Sequence, residues 1–134
     1  MGIKSELDTN FDYEIVDEFM DHYSIMVDCM ESMIIDLGRE DMFARSIDEL
    51  FRIFHNIKSS SSFLQITPMS KLSAFVESVL EDVRTRHKNI NEETLNWLLE
   101  ISDMFALWRE DLKLDRNLTP IKYSLLKLPD LEAD

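Results

Sequence analysis

The chain has 134 residues and carries 27 acidic against 14 basic side chains, a formal net charge of −13. A single domain of this length buries an adequate core without disulfides or metals, and a surface this acidic argues against nucleic acid and anionic membranes as partners. Only two glycines and three prolines are present to make turns, so the long amphipathic segments between them predict an all-α protein.

No apolar run approaches the length of a bilayer span, and the N-terminus lacks the apolar core of a signal peptide. The single cysteine, Cys29, has no internal disulfide partner. Together these features lead us to expect a reducing, cytoplasmic setting.

Residues 1–10 are polar and are expected to be a flexible N-terminus. Asp12 is a suitable N-cap for a first long helix running to about Leu37, where Gly38 stands as the stop. Its apolar stripe is Ile15, Phe19, Tyr23, Met26, Met30, Met33 and Leu37, with Ile34 alongside. From Ser5 to Gly38 there is no Lys or Arg, so the outward face is negative. His22 and Cys29 read as a surface imidazole and a core-edge thiol.

After a connector at 39–45, a second helix is expected from Ser46 to Leu64. Ile47, Leu50, Phe51, Phe54, Ile57, Ser61 and Leu64 form its buried stripe, and Asp48, Arg52, His55, Ser59 and Ser62 share a polar face. Thr67 as N-cap and Pro68 at the first helical position begin a third helix that ends near Arg86. Its stripe is Met69, Leu72, Val76, Val79, Leu80 and Val83, with Phe75 alongside. Asn91 caps a fourth helix, followed by Glu92 and Glu93 in its first turn.

That fourth helix is apolar on two faces. Leu95, Leu98, Ser102, Phe105 and Leu112 lie on one, and Trp97, Ile101, Met104 and Trp108 on the other. Two apolar faces need two partners, and Thr119-Pro120 followed by Ile121, Leu125 and Leu128 supplies a short fifth helix as the second. The expected architecture is an up-down four-helix bundle over residues 11–128 with a short fifth C-terminal helix and a flexible tail at 129–134.

The second and third helices form a hairpin whose turn centres near Ile66. His55 lies eleven residues before that centre and Glu77 eleven residues after it, which puts both about 16 Å from the turn at a rise of ~1.5 Å per residue. Each follows a core residue by one position, Phe54 and Val76 respectively, so both face the groove between the helices. A carboxylate that accepts a hydrogen bond from Nδ1–H fixes the imidazole tautomer and leaves Nε2 as an outward nucleophile. Lys58, one turn from His55, can set its ammonium beside a phosphoryl group on Nε2. Ser59, Ser60, Ser61 and Ser62 are small enough for another protein to approach closely. Singly, each is most simply a solvated or packing residue; their coincidence at one height favours a site. His22, His55 and His87 show no ligand spacing, so no metal is expected.

His55-Asn-Ile-Lys58-Ser-Ser-Ser-Ser62-Phe-Leu64, with the lead-in Leu50-Phe51-Arg52 and the distant Glu77, resembles the signature of the histidine phosphotransfer (HPt) family. The order and length of the helices resemble the N-terminal phosphotransfer domain of the chemotaxis kinase CheA. The resemblance implies that His55 is the phosphoacceptor, Lys58 stabilises the phosphoryl group and Glu77 orients the imidazole. Arg52, Ser59 and Ser62 would lie on the docking face. It further implies a histidine kinase catalytic domain as donor and a response-regulator receiver domain as acceptor. No cofactor would be held in this domain, since ATP and Mg would be bound by the kinase, and the chain has no Gly-rich phosphate loop. The isolated domain is expected to be a monomer, either free-standing or part of a CheA-like kinase.

The sequence departs from the family pattern at three places: Ser59 and Gln65 stand where Gly is usual, and Ala74 occupies the place of a second histidine found in CheA-type domains. These departures leave a second reading, a docking module that binds a receiver domain through the same face without being phosphorylated. A third is a plain structural bundle within a larger assembly.

Overall fold

The computed structural model describes residues 1–132. Five α-helices follow one another: α1 (Ile3–Asn10), α2 (Tyr13–Asp36), α3 (Phe43–Phe63), α4 (Thr67–Arg86) and α5 (Glu92–Lys113). A 3-10 turn, Tyr123–Leu126, is the last regular element among the described residues. The four long helices α2–α5 make the up-down bundle: α3 packs against α4 and α2, and α2 packs against α5. Phe75 of α4 meets Trp97 of α5 edge-on, with ring centroids 5.7 Å apart, and closes the fourth side.

The centre of the bundle is aromatic. Phe54 and Trp108 both contact Phe105 edge-on, at 5.4 and 5.1 Å between centroids. Tyr23 is fully buried there, and its hydroxyl donates to the Phe105 carbonyl at 2.6 Å. Burial, reinforced by the charge of Asp111 and opposed by that of Arg109, pushes the Tyr23 phenol well above its ordinary range. Phe54, fully buried, fixes the rotation of α3. With Phe54 anchored in the core, its neighbour His55 is turned about 100° around the helix and out to the surface.

The α3 and α4 stripes bury as expected, except that Phe51 and Phe75 are only half-buried. In α2 the stripe is rotated. Val16, Phe19, Tyr23, Val27, Met30 and Ile34 are buried, whereas Ile15 is 42% exposed and Met26 and Met33 lie at the core edge. A strict choice between adjacent apolar residues (Ile15 or Val16, Met26 or Val27) depends on where α5 lies, and periodicity does not contain that. α3 also begins earlier than Ser46, because Phe43 is buried as its first residue.

Several helix ends differ from expectation. Asn91 and Asp12 do cap, accepting from Thr94 N–H at 2.8 Å and Glu14 N–H at 3.2 Å. Thr67 does not: it is already helical, the cap position is Ile66, and Pro68 falls within the first turn. Gly38 follows α2 without taking a left-handed conformation.

Within residues 1–10, expected to be a flexible N-terminus, Ile3–Asn10 form α1, which packs against the bundle. Leu7 is buried, and the Asp115 carboxylate accepts from the backbone N–H of Gly2 and Ser5 at 3.1 and 2.9 Å and from the Ser5 hydroxyl. Ile3 N–H also donates to the Arg116 carbonyl at 2.9 Å. The orphan N–H groups of the first turn are thus satisfied by a carboxylate more than a hundred residues away, a cap that no local signal announces.

The C-terminal segment is the second partner of α5. The Trp108 and Trp97 indole N–H groups donate to the carbonyls of Thr119 and Leu125 at 2.8 and 3.1 Å. Asp111, buried at the end of α5, accepts from Thr119 N–H and hydroxyl at 2.8 and 2.7 Å and from Arg116 at 3.1 Å. The expected short fifth helix is the 3-10 helix Tyr123–Leu126, with Leu125 as its buried residue. In the stretch expected to be a flexible tail, Pro129 is buried, and Asp130 bonds both Asn91 and Glu93. Residues 133 and 134 of that tail lie outside the described residues.

Candidate functional site

The site is built on the α3–α4 hairpin. Its turn closes with Ile66 N–H donating to the Ser61 carbonyl at 2.8 Å and Gln65 N–H to the Ser62 carbonyl at 3.1 Å. This double bond pattern requires a left-handed residue between helix and turn. Gln65 provides it with φ of 60°, in the place where the family pattern has glycine. The turn sets the register of everything above it. Asp48 and Arg84, each eighteen residues from Ile66, meet at 3.5 Å. His55 and Glu77, each eleven residues away, meet at 2.8 Å through Nδ1 and Oε2.

Glu77 has two partners. Its Oε2 engages His55 and its Oε1 accepts from Lys58 Nζ at 2.7 Å. The Glu77 side chain is only 16% exposed, while the His55 side chain is 54% exposed. Burial acts to raise the Glu77 pKa, but the hydrogen bonds and charges of Lys58 and His55 outweigh it and hold the carboxyl below its ordinary value. Glu77 is therefore ionised at neutral pH and has only acceptors to offer. With an ionised carboxylate as acceptor, Nδ1 is the donor of the shared bond, and Nε2 lies on the far side of the ring.

The remaining residues of the predicted site lie where a helical face puts them. Arg52, Ser59 and Ser62 are exposed on the same side of α3 as His55. The four serines divide into two kinds. Ser60 and Ser61 return their hydroxyls to the carbonyls of Asn56 and Ile57, at 2.9 and 2.5 Å, and Ser61 is fully buried. Ser59 and Ser62 point to solvent. Ala74, opposite Lys58 in the hairpin register, is exposed and brings no polar group to the site.

A shallow groove between α2 and α3 borders the site. Phe19, His22, Ile25 and Met26 line it from α2, and Asn56 and Ser60 from α3. It is the apolar part of an otherwise acidic helix. Sequence reasoning treated His22 as an isolated surface residue because the groove exists only once α2 and α3 are placed side by side. Arg84 was also missed, although the register about Ile66 pairs it with Asp48. Among the described residues, no three His, Cys, Asp or Glu side chains converge as a metal site, and no helix is long and apolar enough to cross a membrane.

A family model described as the Hpt domain matches residues 15–113, which run from α2 to the end of α5 and include His55, Lys58 and Glu77. The chain belongs to the Hpt domain family. This Hpt domain is similar to the chemotaxis protein CheA of Borreliella burgdorferi, with 32% identity over 98 residues, 70% of this chain and 11% of that protein. It is also similar to the chemotaxis protein CheA of Salmonella typhimurium, with 26% identity over 86 residues, 64% of this chain and 13% of that protein. The chain thus spans only about a tenth of the length of the curated relatives it matches. No solved structure matches it significantly. As an Hpt domain, the chain is a phosphotransfer module of a phosphorelay.

Proposed function

We propose that this Hpt domain carries a phosphoryl group on His55 Nε2, taken from ATP in a histidine kinase catalytic domain and passed to an aspartate of a response-regulator receiver domain. The observation that supports this most is the bond between His55 Nδ1 and Glu77. It holds the proton on one ring nitrogen and leaves the other, on a half-exposed ring, free to attack. In the first transfer the Nε2 lone pair attacks the γ-phosphorus, a P–N bond forms, the P–O bond to ADP breaks and ADP leaves. The imidazole ring then carries positive charge, which ionised Glu77 offsets. In the second transfer a receiver carboxylate oxygen attacks phosphorus, the P–N bond breaks and its electron pair returns to Nε2.

Lys58 stabilises the added charge of the phosphoryl group, one helical turn from His55. Arg52, Ser59 and Ser62 present the face that a partner meets, and the α2–α3 groove continues that face. Within this reading the domain works in the cytoplasm, where ATP is at hand, as a monomer, either alone or as one segment of a CheA-like kinase.

Incubation with ATP and the catalytic region of a CheA-type kinase tests the reading. An acid-labile, base-stable label is expected on the native chain and none on His55→Gln. If the label survives that substitution, His55 is not the acceptor. The phosphorylation-independent docking alternative predicts instead that a receiver domain binds His55→Ala as tightly as the native chain and that no label ever forms.

A further inference from the structure

A single hydrogen bond at Nδ1 does not hold an imidazole still. The ring can swing about that bond and about its own Cβ–Cγ axis, where the torsional well is broad. Something flat beside the ring must remove this freedom if Nε2 is to keep one direction. Phe51, one turn before His55 on α3, is that neighbour. Its ring lies nearly parallel to the imidazole, with 12° between the planes and 6.4 Å between centroids.

Phe51 is itself held, although it is only half-buried. The Arg84 guanidinium of α4 lies 4.3 Å from the Phe51 ring centroid, within cation–π range. Arg84 is braced in turn, donating to Glu81 at 2.5 Å and to Asp48 at 3.5 Å. A planar guanidinium with two carboxylate partners on two helices is fixed in orientation as well as in place. None of these four side chains belongs to the His55–Glu77–Lys58 cluster, yet they form a continuous path of contacts that ends on the imidazole.

We infer that Phe51 and Arg84 are positioning residues for His55: Arg84, braced by Asp48 and Glu81, keeps Phe51 flat beside the imidazole, and Phe51 keeps Nε2 presented. The inference rests on the reading of His55 as phosphoacceptor, and its test carries a readout that does not need phosphorylation. Nitrogen-15 NMR of the His55 ring reports the tautomer and its exchange broadening directly. Native protein should show one sharp Nδ1-protonated species. Phe51→Leu and Arg84→Gln should each show a second tautomer or broadening, and each should accept the phosphoryl group about tenfold more slowly, a modest case of the loss that misplacement causes.

Phe51→Tyr keeps the flat ring and should restore both readouts. Because the two residues act in series, the double variant should be no slower than Phe51→Leu alone. Arg84 is at the surface, so Arg84→Gln keeps the test valid even where Phe51→Leu loses its fold. Native-like ring signals and native transfer rates in a folded Arg84→Gln would overturn the inference while leaving His55 as acceptor. Loss of label only in His55→Gln, with labelling unchanged in Phe51→Leu, would overturn it as well.

Discussion

Lys58 rests on Glu77, with 2.7 Å between its ammonium and Oε1, rather than in the space beyond His55 Nε2. The lysine is thus stored beside the carboxylate in the unphosphorylated domain. A phosphoryl group on Nε2 offers it a second, more highly charged acceptor one helical turn away. Glu77 holds both His55 and Lys58, the proposed nucleophile and the cation that its phosphorylated form would need.

Lys58→Met should therefore act in two ways. Phosphoryl acceptance should fall by about tenfold to a hundredfold, the worth of one hydrogen bond to a charged group. In the same variant the Glu77 pKa should rise, because the Lys58 bond is the largest of the influences that lower it. Carbon-13 titration of the Glu77 carboxyl checks the second effect independently of any kinase.

The depressed Glu77 pKa also sets a pH dependence. A carboxyl whose folded value lies below its unfolded value binds protons less readily when folded. Its stabilising contribution is complete above the ordinary glutamate value of about 4.3 and is lost as pH falls through the lower folded value. Urea unfolding of native chain and Glu77→Gln, followed from about pH 6 to about pH 3, should show the gap between them shrinking over that window. A gap that stays constant would mean that Glu77 is not held ionised by its partners.

Gln65 takes a left-handed backbone with φ of 60°, which costs a residue bearing a Cβ roughly 1 kcal/mol relative to glycine. Gln65→Gly should stabilise the domain by about 1 kcal/mol, seen as a rise of a few degrees in the thermal midpoint. The site geometry should be unchanged, since the turn already has the conformation that glycine prefers.

The N-terminal helix is held by one carboxylate and by close approach. A Cβ on Gly2 would overlap the Asp115 backbone, and Ser5 hydrogen bonds keep the Asp115 pKa below its ordinary value. Gly2→Val and Asp115→Ala should each release α1. Hydrogen exchange should lose its protection over residues 3–10 while the four long helices keep theirs.

The hairpin was readable from the chain because its turn lies between two strongly periodic helices. Counting residues outward from Ile66 is enough to put His55 opposite Glu77. The docking of α1 was not readable, because one buried leucine and a cap supplied by Asp115 leave no periodic trace. Phe51 was read as core because it is apolar and on the stripe; its half-exposure and its neighbours His55 and Arg84 appear only when α3 and α4 are set together. The α2 stripe failed by one position where two adjacent residues were both apolar, a choice that α5 makes.

The decisive question is which ring nitrogen of His55 takes the phosphoryl group. Phosphorus–nitrogen NMR couplings measured on the freshly phosphorylated chain decide it. We expect a single phosphohistidine substituted at Nε2, absent from His55→Gln. Substitution at Nδ1 would contradict it, because that nitrogen is committed to Glu77 at 2.8 Å.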